Sequence, residues 1–207
     1  MRALLLAAGL GTRLRPLTNY IPKCLVPIHG RPLLDYWLET LLDHGIEKIL
    51  INTHYMAPMV QRYLNQSKWL PYIEIVYEKA LLGTGGTILR NRHFFANETF
   101  LVAHADNLTT FDMRDFSKCH ASRPKGTEMT MMVFDTLEPE SCGIVGLDNR
   151  GIVQDFYEKV ENPPSNLANG AVYIFEASVL EWMKTLASSE VDISTEVIPH
   201  YLGRIHT

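Results

Sequence analysis

Residues 2–13 read R-A-L-L-L-A-A-G-L-G-T-R. Beyond Arg2 the run is apolar without alternation, and it stops at Gly9. An alternating pattern suits a strand with one wet face. A continuous run suits a strand covered on both faces, as in a parallel sheet. The stretch is too short for a membrane span, which needs about 18–20 apolar residues. It also lacks the longer apolar region and cleavage site of a secretory leader.

Working outward, Leu33, Leu34, Trp37, Leu38, Leu41 and Leu42 form a helical stripe over 31–44, with Pro32 early and Gly45 as a stop. Ile49 to Ile51 reads as a second buried strand, 57–66 as a helix and Ile73 to Tyr77 as a third strand. A glycine-rich turn leads into a helix over 84–95, and Phe100 to Ala103 is a fourth strand. This β-α-β-α-β-α-β order predicts an α/β fold, a three-layer α/β/α sandwich around a Rossmann-like, mostly parallel central sheet. The second half changes character. Met129 to Phe134 is a strand, and Gly143 to Leu147 and Ile152 to Tyr157 flank the hairpin turn Asp148-Asn149-Arg150-Gly151. Ala171 to Phe175 is a further strand, followed by short helices around 177–187 and 194–202. No linker or repeat separates domains, so 1–207 reads as one domain, and Asn162 to Asn166 is the clearest loop.

The chain has 207 residues, 46% hydrophobic and 20% charged, which excludes disorder and fibrous repeats. Cys24, Cys119 and Cys142 are scattered and form no C-x-x-C pair. That disfavours a disulfide framework and a structural zinc site, and fits a reducing cytoplasm. A net charge of −4 disfavours nucleic acid and anionic membrane as partners. Residues 1–34 nevertheless hold Arg2, Arg13, Arg15, Lys23 and Arg31 and no acidic residue. A basic segment in an acidic protein points to one specific anionic ligand.

Glycines directly after a buried strand let backbone N–H groups approach a phosphate. Gly9 and Gly11 stand there, with Arg13, Arg15 and Lys23 following. Together they make a phosphate site of backbone donors and cations. It is neither a Walker loop, which needs G-x-x-x-x-G-K-[ST], nor a dinucleotide fingerprint, whose third glycine position holds Leu14.

The stretch A-A-G-L-G-T-R-L-R-P-L-T-N-Y-I-P-K over 7–23, with Pro27 and Pro32 beyond it, resembles the signature of the sugar-1-phosphate nucleotidyltransferases. The resemblance runs from Arg2 to about Leu202. It implies the nucleotide-diphospho-sugar transferase type of sheet, and transfer of a nucleoside monophosphate from an NTP to a sugar 1-phosphate with Mg²⁺, releasing pyrophosphate. It implies that Ala8, Gly9, Gly11 and Thr12 bind the nucleotide. It gives catalytic roles to Arg13 and Lys23 at the phosphates and to Asp106. Leu82-Gly83-Thr84-Gly85-Gly86 by itself is equally a plain strand–helix connection. In the family the matching stretch cradles the base, giving Gly83, Thr84 and Gly85 to the nucleotide. Its L-G-T-x-G form is similar to the guanylyltransferases of mannose 1-phosphate and heptose 1-phosphate.

Asp106 follows the fourth strand, where ligands bind in open α/β sheets, although by itself it reads sooner as a solvated aspartate capping the next helix. The family places a metal-binding aspartate there, usually after glycine, whereas this chain has Ala105, and His104 where asparagine is common. His104 is either a second ligand or a hydrogen-bonding strand end. The Glu158-Lys159 pair by itself predicts one core-edge and one solvated side chain. The resemblance instead gives Glu158 to the sugar hydroxyls and Lys159 to the sugar phosphate, and Asn169-Gly170 to a sugar-binding turn. It therefore makes 1–110 the NTP half and 111–207 the sugar-phosphate half, with room for a homo-oligomer.

The family's second metal-binding aspartate sits in a later W-x-D-x-G-type segment. This chain ends at Thr207 without it, so the expectation is that a C-terminal segment is lacking. Asp192 reads as a helix cap and not a substitute.

A sugar phosphate oxygen is already an anion, so no activated serine or cysteine is required, and no nucleophile elbow occurs. The obstacle is repulsion between anion and polyanion, overcome by neutralising charge and aligning the reactants. Alternatives are the same fold using UTP or dTTP, a non-catalytic nucleotide-sugar sensor, and a glycosyltransferase, for which His104-x-Asp106 loosely resembles a D-x-D metal site.

Overall fold

The structure is a computed structural model that describes residues 1–188 and 190–207. The chain divides into two compact units, one made of Met1–Leu81 and Val102–Met113, the other of Leu82–Leu101 and Arg114–Thr207.

In the first unit β1 (Arg2–Leu6) runs into three single-turn 3-10 segments, Thr12–Leu14, Leu17–Asn19 and Lys23–Leu25. A two-residue hairpin, β2 (Pro27–Ile28) and β3 (Arg31–Pro32), leads to α1 (Leu33–Asp43). Then come β4 (Lys48–Thr53), α2 (Ala57–Asn65) and β5 (Ile73–Tyr77). After α3 (Gly83–Arg90), in the second unit, β6 (Phe100–His104) brings the chain back. The strand order is β6-β1-β4-β5, with β1–β4 and β4–β5 parallel. Ala3, Leu4 and Leu5 are fully buried, as a strand covered on both faces requires. Leu34, Leu38 and Leu41 of α1 and Val60 and Leu64 of α2 are buried as well. Side chains of this kind each contribute about 1.5–3 kcal/mol by leaving water.

The second unit continues with α4 (Met113–Ala121), β7 (Met129–Asp135), β8 (Gly143–Leu147), β9 (Val153–Glu158), β10 (Leu167–Phe175) and α5 (Ala177–Met183). A π-turn, Ile193–Val197, runs into α6 (Ile198–His200), and β11 (Ile205–His206) follows. Strand β7 lies between β10, antiparallel, and β11, parallel; β8 pairs with β10 and β9, both antiparallel. Parallel pairing is thus the character of the first unit, and hairpins dominate the second. The β8–β9 turn forms as expected: Asp148 Oδ1 accepts from the N–H groups of Arg150 (2.8 Å) and Ile152 (3.0 Å), and Gly151 takes φ +72°. Phe95, Phe100, Phe175 and Tyr173 form a chain of ring contacts in the core of this unit.

Helix α4 lies where the sequence reading placed no element. Its apolar stripe is thin, because His120 fills an inward position. Burial is tolerable there because both ring nitrogens have partners, Thr130 Oγ1 at 2.7 Å and Glu176 Oε1 at 3.1 Å.

Candidate active site

The loop after β1 is held at its entrance by a polar relay. The Ala7 N–H donates to Asn52 Oδ1 (2.8 Å), and Asn52 Nδ2 donates to Glu78 Oε1 (3.0 Å), all buried. Sequence reasoning missed Asn52 and Glu78. Their signal was a polar residue closing each of two apolar strands, Ile49-Leu50-Ile51-Asn52 and the run to Tyr77-Glu78. Ala8 is buried at the loop entrance, and Gly9 and Thr12 are exposed.

Gly11 is required twice over. It sits at φ +64°, and a Cβ there would lie 2.9 Å from the Thr18 methyl. Thr18 is fully buried; its hydroxyl donates to Gly11 O (2.7 Å), and its own carbonyl accepts from the Tyr55 hydroxyl (2.8 Å). The loop is therefore clamped while its donors stay open. The N–H groups from Gly9 to Arg13 donate to nothing among the described residues, and Arg13 and Arg15 are exposed without an ion pair among them.

Lys23 and Asp106 meet. Lys23 Nζ lies 2.9 Å from Asp106 Oδ2, with the side chains 19% and 30% exposed. Residues 83 apart in sequence reach one another because β6 follows β1 in the strand order. The Ala105 N–H donates to Leu6 O (3.0 Å), and Trp37 Nε1 donates to Asn107 O (2.7 Å), fixing the backbone on both sides of the carboxylate. His104 is half-buried at the strand end. Cys24 lies beneath Lys23; burial chiefly, and Asp106 next, push its thiol up to about 12. It is a packed thiol and no nucleophile, as its neighbourhood in sequence suggested.

The remaining expected residues lie in the second unit. Gly83 has φ +74°, and a Cβ there would fall 2.4 Å from Val191 O. At Gly85 a Cβ would meet Val191 Cγ1 at 2.7 Å. The N–H groups of Gly85 and Gly86 both donate to Val191 O (2.8 and 2.9 Å). The Thr84 hydroxyl donates to Asp192 Oδ2 (3.0 Å) and accepts from the Ile193 N–H (2.7 Å). Asp192 caps the π-turn, as expected, with Oδ1 accepting from the Ser194 N–H (2.8 Å).

Glu158 is half-buried and Lys159 exposed, the core-edge and solvated pair that the sequence predicts. Lys159 takes φ +51° at the end of β9, and its ammonium turns back onto Glu158 Oε1 at 2.6 Å. Gly143, opposite on β8, makes room: a Cβ there would lie 2.9 Å from Glu158 Oε2. Asn169 lies at a bulge in β10. Its Oδ1 accepts from the Ala171 N–H (2.9 Å), and its Nδ2 donates to the Tyr173 hydroxyl (2.7 Å). A Cβ at Gly170 would lie 3.0 Å from Met132 O. Tyr173 is buried, and burial pushes its phenol well up, with smaller contributions from Asp192 and Glu158. A cavity of about 360 Å³ elsewhere, lined by Asp35, Tyr63 and Trp69 among others, holds none of these residues.

Among the described residues no group of three His, Cys, Asp or Glu side chains could hold a metal, and no helix is long and apolar enough to cross a membrane. Asp106 Oδ1 has no hydrogen bond among them. A half-exposed carboxylate oxygen of this kind fits Mg²⁺, which takes one or two carboxylates and completes its shell with phosphate and water.

The model of the Nucleotidyl transferase family matches residues 2–206. Similar proteins include the mannose-1-phosphate guanylyltransferase catalytic subunit beta of Drosophila melanogaster, 33% identical over 96% of this chain and 53% of the relative. The UTP–glucose-1-phosphate uridylyltransferase of Synechocystis is 32% identical over 96% of this chain and 54% of the relative. The chain spans about half the length of these curated relatives. Among solved structures, HddC from Yersinia pseudotuberculosis, complexed with GMP-PN, superposes with a TM-score of 0.80 at 22% identity, over 99% of this chain and 88% of that one. A Bacillus anthracis protein assigned as a glucose-1-phosphate thymidylyltransferase gives a TM-score of 0.86, also at 22% identity, over 100% of this chain and 85% of that one. The expected α/β fold class is borne out by these neighbours, with parallel core strands in a mixed sheet.

Proposed function

Because this chain belongs to the nucleotidyl transferase family, we propose that it transfers a nucleoside monophosphate from an NTP to a sugar 1-phosphate, releasing pyrophosphate. One observation carries the reading: an open row of N–H groups from Gly9 to Arg13 in the unit that holds the Lys23–Asp106 pair. Such a row is suited to phosphate oxygens, because donors the fold has not spent give up no internal hydrogen bond when a ligand takes them.

Gly9, Gly11 and Thr12 take the NTP phosphates, with Ala8 at the loop entrance. Arg13 offers a guanidinium fork to the same oxygens. Lys23, held on Asp106 before substrate arrives, offers its ammonium to the phosphates at the reacting centre. Asp106 would hold Mg²⁺ through Oδ1, and the ion when bound supplies positive charge at the phosphates. The sugar phosphate attacks as the anion it already is, so positioning dominates. Lys159 binds that phosphate and Glu158 the sugar hydroxyls, with Asn169-Gly170 shaping the turn beside them. Residues 1–110 are then the NTP-binding half, the base turn Gly83–Gly85 included, and 111–207 the sugar-phosphate half.

GTP is the favoured nucleotide. The L-G-T-x-G form and the names of the guanylyltransferase relatives support it. The uridylyltransferase at similar identity supports the runner-up, UTP or dTTP.

The test is product identity with Mg²⁺, an NTP and a panel of sugar 1-phosphates. Pyrophosphate with a nucleotide sugar is expected. Nucleoside diphosphate released in a second assay that supplies a nucleotide sugar and an acceptor would mark a glycosyltransferase, and binding without product in either assay a sensor.

A further inference from the structure

The turn Leu82–Gly86 is bound to one distant segment of its own unit, Val191–Ser194. The backbone half of the joint is Val191: its carbonyl accepts from Gly85 and Gly86, and its N–H donates to Leu82 O (3.2 Å). The side-chain half is Thr84 with Asp192. Thr84 Oγ1 has one proton and spends it on Asp192 Oδ2, while accepting from the Ile193 N–H. Asp192 Oδ1 is committed to the Ser194 N–H, and the Asp192 N–H donates to Glu196 Oε1 (3.0 Å).

Position 192 must therefore supply two acceptors at once. A carboxylate does so. An asparagine of the same size brings one acceptor and one donor: with its oxygen on the Ser194 N–H, its amide could meet the Thr84 hydroxyl only by donating to it, which reverses that bond and takes from the Thr84 proton the charged acceptor it has here. A helix cap alone would need only the Oδ1 contact, for which Asn serves as well as Asp. The second contact is surplus to capping, and it falls on the one side chain of the turn that bears a hydroxyl.

We propose that Asp192 is a positioning residue for nucleotide choice: by holding the Thr84 hydroxyl it fixes the shape of the Gly83–Gly85 turn and thereby the protein's preference among NTP bases. This rests on the reading of that turn as the base site. Asp192 acts through Thr84 and touches no reacting atom. The Val191 bonds are backbone to backbone and use no atom of the Asp192 side chain, so they tie the two segments together independently of the contact.

The experiment is equilibrium titration of the whole chain, with Mg²⁺, by GTP, UTP and dTTP separately, alongside thermal melting. Asp192→Asn is expected to weaken the preferred NTP about tenfold, the effect of one charge-assisted hydrogen bond, and to move the others less, so that the selectivity ratio shrinks. Thr84→Ser retains the ratio and Thr84→Val loses it. The double variant Asp192→Asn/Thr84→Val is no worse than Thr84→Val alone, as expected when both changes break one contact. Equal weakening of all NTPs with a lowered melting temperature would overturn the proposal, because that is plain loosening; so would an additive double variant. A wild-type chain that binds no NTP overturns it together with the base-site reading. Selective NTP binding that yields no pyrophosphate with any sugar 1-phosphate breaks the transferase reading only; the proposal then stands if the variants narrow the ratio and falls if they do not.

Discussion

Two glycine turns look alike in sequence and are built for opposite purposes. Around Gly9–Arg13 the backbone donors are unspent, and the loop is braced from below by Thr18 and Asn52. Around Gly83–Gly86 the donors of Gly85 and Gly86 are consumed by Val191 O, and the glycines serve close packing. A glycine after a strand therefore carries no fixed meaning. What distinguishes a loop that holds phosphate through its backbone from a turn that acts only by its shape is whether its N–H groups remain available after the fold has been satisfied.

The contrast is easiest to break at the reacting centre. Arg13→Ala or Asp106→Ala is expected to lower turnover by about a hundredfold or more, the loss of one transition-state charge contact; near-normal rates in steady-state assays would remove the first loop from the chemistry. The glycines come next. Gly83→Ala forces a Cβ onto Val191 O at φ +74° and is expected to cost about 1–3 kcal/mol in denaturant unfolding. Gly9 has nothing within 4 Å and no positive φ, so Gly9→Ala should leave stability unchanged and weaken only NTP binding. Equal destabilisation by the two would erase the distinction. Lys159→Ala, by contrast, should raise the KM for sugar 1-phosphate while NTP titrations are unaffected; lost NTP binding would misplace the sugar side. The smallest effect concerns the floor beneath Lys23. With its thiol pushed up to about 12, Cys24 is un-ionised at pH 8, and in mass-spectrometric alkylation it should react far more slowly in the native than in the unfolded chain. Rapid native labelling would mean that the floor is open.

Much of this was legible from the sequence. The apolar run to Ala8, the stripe of α1 and the Asp148–Gly151 turn are local patterns, and each forms where expected. The Lys23–Asp106 meeting was legible only through the resemblance, since nothing local links residues so far apart. The anchoring of Thr84 on Asp192 was not legible, because it depends on two segments more than a hundred positions apart packing together. Helix α4 was hidden because His120 breaks its apolar stripe. Its burial is explained only by Thr130 and Glu176, which belong to other elements, and by Arg123, whose guanidinium also reaches Glu176. Glu158 and Lys159 divide into a half-buried and an exposed side chain as expected, but the fold-back of the Lys159 ammonium onto Glu158 was not legible, because the positive φ at Lys159 leaves no mark on a single sequence.

The open loop and the Lys23–Asp106 pair are together the proposed phosphate-transfer centre. The most direct measurement is Mg²⁺-dependent pyrophosphate release from NTP and sugar 1-phosphate by the wild-type chain and by Asp106→Asn, which keeps the size of the side chain and removes its charge. Release by the wild type and its near-complete loss in Asp106→Asn are expected, with the fold intact by thermal melting. Equal release by both proteins would contradict this assignment.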